Sequence, residues 1–158
     1  MIDKNRKKSI DDLVSELKSK YDTKSLDGLK QLSKDMGISV IEDDKVVLPR
    51  AIISDDEKHY ILLRKTNLVK HFTFGHEIGH HLLDHFYNPR PNQEEEADYF
   101  SEQLGCKRPS FLRVLAICQY SVLKSPFLAF NICFLPHLDK KHCLDIIKEY
   151  NSQKEKTI

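Results

Sequence analysis

What this chain lacks narrows it first. Nowhere do eighteen apolar residues run together, so the sequence offers no membrane-spanning helix. Its opening residues, Met1-Ile2-Asp3-Lys4-Asn5-Arg6-Lys7-Lys8, have no apolar stretch of the kind that makes a secretory signal, and a cytoplasmic protein is expected. Four cysteines occur, Cys106, Cys118, Cys133 and Cys143, with no C-x-x-C pair. Widely spaced in apolar surroundings, they read as reduced core thiols rather than disulfides or a second metal site. Internal repeats and low-complexity tracts are missing as well. So is charge of one sign: 25 Lys and Arg against 24 Asp and Glu leave a net +1, which argues against a globally basic nucleic-acid binder. Beyond Cys106 nine basic residues face four acidic ones, a local +5. No Gly-rich or aromatic nucleic-acid motif accompanies that excess, so direct nucleic-acid binding is not expected.

What is present suffices for one compact domain, since 158 residues at 40% hydrophobic can bury a real core. Asp11 to Tyr21 and Ser25 to Met36 have helical periodicity, are joined by Asp22-Thr23-Lys24, and end at Gly37. Ile38 to Ile41, Lys45 to Leu48, Arg50 to Ser54 and His59 to Arg64 are β-branched or alternating runs divided by Asp43-Asp44, Pro49 and Asp55-Asp56-Glu57. They read as a small antiparallel sheet. From Pro109 onward, Ser110 to Leu123, Pro126 to Phe134 and Pro136 to Tyr150 read as helices opened by proline, rich in apolar residues such as Phe111, Leu115, Phe127 and Phe130. A packed helical addition is expected there, with a frayed polar tail from Asn151.

His76-Glu77-Ile78-Gly79-His80 carries the chemistry. On a helix, residues four apart lie one turn apart on one face, so the two imidazoles can share a tetrahedral Zn²⁺. Glu77 then sits beside the remaining water site, where a carboxylate can take a proton and pass it to a leaving amine. Composition alone yields roughly 0.02 chance occurrences of such a motif in a chain of this size. Leu68, Val69, Phe72, Phe74, Ile78, Leu82 and Leu83 recur near helical spacing around it, which gives the helix a buried face. His81 and His85 fall off the His76/His80 stripe and suit a supporting or solvated role better than ligation.

A hydrolytic zinc site needs a third protein ligand. After the breaker stretch Asn88-Pro89-Arg90-Pro91-Asn92, a second helix to Leu104 opens with Glu94-Glu95-Glu96-Ala97-Asp98. Glu94 and Glu96 both remain candidates, as does a merely solvated acidic first turn. Glu94 and Asp98 share a face, so Asp98 can accept a hydrogen bond from a ligand imidazole while Glu94 binds metal. Nitrogen and oxygen ligands of this kind also take Mn²⁺ or Fe²⁺, with Zn²⁺ preferred. The strand at His59 to Arg64, immediately before the metal helix, can serve as an exposed edge for an extended substrate, with His59, Tyr60, Ile61 and Leu62 as contacts. Plain pairing inside the sheet is the other reading of that strand.

Phe72-Thr73-Phe74-Gly75-His76-Glu77-Ile78-Gly79-His80-His81-Leu82-Leu83, followed by Glu94-Glu95-Glu96-Ala97-Asp98-Tyr99-Phe100-Ser101-Glu102-Gln103-Leu104, resembles the ImmA/IrrE family of zinc metallo-endopeptidases. That family pairs an R-F-T-x-A-H-E-x-G-H-x-L-L helix with a second helix of E-x-x-A-[ND]-x-F-A-x-x-L type. The resemblance spans roughly Asp11 to Asn131. Gly75 and Ser101 depart from it by standing where Ala is usual, and Gly105-Cys106-Lys107 stands in place of L-x-P. It implies His76, His80 and Glu94 as zinc ligands and Glu77 as the catalytic residue. It also implies an α+β, zincin-like domain over 1–106, with a short antiparallel sheet, the H-E-x-x-H helix, a helical addition over 107–150 and a tail over 151–158. The implied substrate is a cytosolic regulator, a helix-turn-helix repressor of a phage, mobile element or stress operon. The alternative is a non-catalytic, antitoxin-like partner that sequesters such a regulator. Its zinc site would be structural or vestigial, with His81, His85 or Cys106 closing the fourth position. Tyr99 and His71 are conceivable stabilisers of the transition state.

Overall fold

The computed structural model describes residues 1–46, 49–65, 70–108 and 136–156, with side chains in the last group from residue 140. The expected helices Ser110 to Leu123 and Pro126 to Phe134, the apolar pair Leu68 and Val69, the end of the expected Lys45 to Leu48 strand, and Cys118 and Cys133 lie outside the described residues. The described chain is α+β: five helices and a three-stranded mixed sheet. No described helix is long and apolar enough to cross a membrane.

Helix α1 (Lys4–Lys20) begins seven residues earlier than its apolar periodicity suggests. The Asp3 side chain accepts from Arg6 N–H at 2.9 Å and caps it, so a polar first two turns are drawn into the helix. Ile10, Val14 and Leu17 form its buried stripe. Ser25 caps α2 (Leu26–Asp35) by accepting from Gly28 N–H, and Gly37, at φ +73°, lets the chain leave it in the left-handed conformation.

Strands β1 (Ile38–Glu42), β2 (Arg50–Ile53) and β3 (His59–Leu63) are ordered β1-β3-β2. Strand β2 pairs antiparallel with β3 through the Ser54–Lys58 turn, as expected of a hairpin. The pairing of β1 with β3 is parallel, from Ile38 opposite His59 to Glu42 opposite Leu63, which corrects the expectation of a purely antiparallel sheet. Alternation marks strands but not their relative direction. Residues 45 and 46 are not strand, because Asp43 accepts from Lys45 N–H with its side chain and from Val46 N–H with its carbonyl, forming a turn.

Strand β3 is therefore central, hydrogen-bonded on both edges and covered on both faces. Ile61 and Leu63 join the cluster of α1, α2, α3 (Lys70–Leu82) and α4 (Gln93–Leu104). Tyr60 and Leu62 join Ile41, Val46 and the Cys143, Ile146 and Ile147 side chains of α5 (Pro136–Glu155). The all-apolar run of β3 is what burial on two faces demands. The last helix thus covers the second face of the sheet. It runs to Glu155 rather than fraying at Asn151, because Asn151 donates to the Tyr60 hydroxyl at 3.2 Å and Glu149 pairs with Lys45 at 2.6 Å.

Candidate metal centre

Helices α3 and α4 meet through small residues. A Cβ on Gly79 would come within 3.2 Å of the Ala97 Cα, and one on Gly75 within 2.6 Å of the Ser101 hydroxyl. Gly75 and Gly79, like Ala97 and Ser101, are four apart, so each pair lies along one face of its helix. Backbones brought this close can aim short side chains from both helices at one point. The same contact accounts for two departures from the resembling pattern: buried Ser101 donates to Phe72 O at 2.8 Å and occupies the room an alanine methyl at position 75 would need.

Near the open end of this contact, His76, His80 and Glu94 each present a ligand atom, all within 4.8 Å of one another. His76 Nε2 and His80 Nε2 are 3.0 Å apart. Glu94 lies 3.4 Å from the first through Oε2 and 3.6 Å from the second through Oε1. Ligands about 2.0–2.2 Å from a tetrahedral metal ion stand roughly 3.3–3.6 Å from each other; the two Glu94 separations match this and the His76–His80 separation is slightly shorter, so the three could hold a metal ion. Glu94 is the adjustable member, its side chain 70% exposed. Behind His76, Asp98 takes the Nδ1–H at 2.8 Å, as the shared face of Glu94 and Asp98 predicts, and Arg108 in turn pairs with Asp98.

The two imidazoles of the cluster have proton affinities shifted in opposite directions. Burial and the charge of His76 push His80 down to about 4, leaving it neutral with a lone pair to give. Burial works the same way on His76, but the Asp98 hydrogen bond and the Glu77, Asp98 and Glu94 charges outweigh it and raise the pKa. Glu77 is buried under the cluster, and desolvation lifts it to about 6 against the pull of His76, the Ala51 N–H and Arg50. It remains mostly ionised at neutral pH and is close to the range a proton shuttle needs.

Other candidates fall elsewhere. Glu96 does not join the cluster: 4% exposed, it faces His85 and Arg6 on the far side of α4. The 200° between positions 94 and 96 on a helix puts them on nearly opposite sides. His85 sits behind His80, His81 hydrogen-bonds to His59 and to Tyr60 O, and the Cys106 thiol packs beside Ser101 and His71. Burial pushes that thiol up to about 11, so it is protonated and inert. None of the three is grouped with His76, His80 and Glu94 among the described residues. Tyr99 donates to Asp11 and His71 to Thr23 O, both away from the cluster. The edge-strand role expected of His59, Tyr60, Ile61 and Leu62 is corrected by the pairing of β3 on both sides. Among the described residues, the edge facing the cluster is β2, where Ala51 N–H donates to Glu77 Oε2 at 2.6 Å. Arg50, at the head of β2, was missed by sequence reasoning; its charge reaches both Glu77 and His80. Nothing in its neighbourhood in the chain marks it, because the sheet alone brings it there. Compared with protein-family models, curated proteins and solved structures, the chain matches none.

Proposed function

We propose that this chain is a zinc-dependent endopeptidase of zincin-like design. The observation that carries the proposal is the His76, His80 and Glu94 triangle with buried Glu77 beside it, while His81, His85 and Cys106 all face elsewhere. A bound Zn²⁺ supplies a water of lowered pKa and polarises a scissile carbonyl. His76, His80 and Glu94 would hold it, and Asp98 keeps the His76 lone pair at Nε2 by accepting a hydrogen bond from its Nδ1–H. Glu77 collects the proton released by the attacking water at its carboxylate and delivers it to the leaving amine. An extended substrate lies along β2, exchanging the Ala51 N–H from Glu77 to the peptide, which frees the carboxylate as the substrate arrives. By resemblance, the substrate is a cytoplasmic helix-turn-helix repressor.

Intact-mass spectrometry of the zinc-loaded protein incubated with a helix-turn-helix repressor tests the reading. Fragments formed without chelator and absent with it are expected. An intact repressor held in a stoichiometric complex under both conditions would instead make the protein a sequestering partner.

A further inference from the structure

A buried line of hydrogen bonds runs from His80 away from the cluster. His80 Nδ1 is 3.0 Å from His85 Nδ1, and His85 Nε2 is 3.2 Å from Glu96 Oε2. That same oxygen takes Arg6 Nε and Nη2 of α1, both at 2.7 Å, while Nη2 also reaches Leu83 O at 3.2 Å. His85 and Glu96 are each 4% exposed. We propose that His85, Glu96 and Arg6 are positioning residues that set the tautomer of His80, so that its Nε2 lone pair is presented to the metal. The proposal rests on the reading of His76, His80 and Glu94 as a metal site.

With one proton on each imidazole, the hydrogens have one consistent arrangement. Arg6 has donors only, so the Glu96 carboxylate is its acceptor and has lone pairs left for His85. His85 Nε2 therefore carries a hydrogen and gives it to Glu96. Its Nδ1 is then bare and accepts, which places a hydrogen on His80 Nδ1. With that nitrogen occupied, His80 keeps its lone pair on Nε2, the atom facing His76 Nε2 and Glu94. Were His85 rotated or replaced by an apolar ring, His80 could carry its proton on either nitrogen, and half of that freedom would oppose metal.

Backbone geometry holds the line in place. Helix α3 ends with His85 N–H bonded to His80 O and Asp84 N–H bonded to His81 O, while Asp84 takes φ +62°. This is a Schellman ending, whose two outer positions usually touch through apolar side chains. Here those positions are His80 and His85, and an imidazole pair replaces the apolar contact. Arg6 enters from α1 by way of the extra turns that Asp3 caps, so a helix remote in sequence completes the support of a ligand.

The probe is Zn²⁺ alone, its affinity measured by competition with a chromophoric chelator, with folding followed by circular dichroism. His85→Phe keeps the ring but loses both polar atoms and should lower zinc affinity about 10- to 100-fold, the usual effect of removing a ligand's hydrogen-bond partner. His85→Gln retains one donor and one acceptor and should recover part of the loss, which a purely structural role would not predict. In zinc-loaded wild type, ¹⁵N ring shifts should show His85 protonated at Nε2 and bare at Nδ1, and this holds the proposal to account even if His85→Phe fails to fold. A His85 protonated at Nδ1, or a folded His85→Phe with wild-type affinity, overturns the relay and leaves the metal site standing. Wild type that binds no zinc overturns both.

Discussion

The two histidines of the proposed metal site are backed by very different surroundings. His76 leans on Asp98, and Asp98 on Arg108, whose side chain is 60% exposed in the segment that follows α4. His80 leans on His85, Glu96 and Arg6, none of them more than 16% exposed, between α1 and the α3 ending. Both arrangements place a hydrogen-bond acceptor behind Nδ1. They differ in what else the support does. Asp98 answers to solvent and to a surface arginine, so its loss should be felt at the metal and little elsewhere. The inner line also joins α1 to α3 and α4, which ties the proposed metal site to the integrity of the core. Removing one partner of a buried ion pair costs about 3–5 kcal/mol in general, whereas an exposed pair is worth about 0–1 kcal/mol. The same chemical task thus carries very different structural weight on the two sides.

The largest effect should come from the ligands themselves. His76→Ala or His80→Ala should reduce zinc content to near zero by elemental analysis and abolish the rise in Tm that zinc gives the wild type, because ligation energy is folding energy. Full occupancy in either variant would dismiss the site. Glu94→Gln should weaken zinc more than Glu95→Gln, whose parent side chain pairs with the N-terminal ammonium.

Next comes the contrast between the two supports. By urea unfolding of the metal-free protein, Arg6→Ala should lose up to about 3–5 kcal/mol by leaving the buried Glu96 carboxylate without its cation, with only the His85 hydrogen bond to support it. Arg108→Ala should stay within about 1 kcal/mol of wild type. Equal losses would erase the distinction between an inner and an outer support.

A smaller effect sharpens the origin of the inner line. Asp84 holds a left-handed conformation that costs most residues about 1–2 kcal/mol. Asp84→Ala should therefore destabilise by about 1 kcal/mol, while Asp84→Gly should be neutral or stabilising in the same unfolding experiment. A fully tolerated alanine would mean that the turn which returns His85 beneath His80 is not conformationally demanding.

Several of these features were legible in the sequence because helices repeat. His76 with His80, and Glu94 with Asp98, are four apart, and each pair shares a face as that spacing requires. The helix-strand order of the first half was readable from Ser25, Gly37 and the alternating runs. What escaped was set by the ends and by long-range pairing. His85 looked off the stripe because a helical wheel stops describing the chain where Asp84 turns it back, and no glycine announced the turn. The apolar run of β3 suited an edge or a centre equally until β1 paired with it in parallel, and Arg50 reached the site only through that sheet. Arg6 lay in a stretch too polar to read as helix, its partner ninety residues away.

The most direct test of the central claim is Glu77→Gln. Glu77 is not a ligand, so the variant should fold, bind zinc like wild type by elemental analysis, and cut the repressor at a rate at least about 10²- to 10⁴-fold lower, the share general acid/base catalysis typically supplies. A zinc-loaded Glu77→Gln that cleaves at the wild-type rate, or that relieves repression in cells as well as the wild type does, would contradict the account.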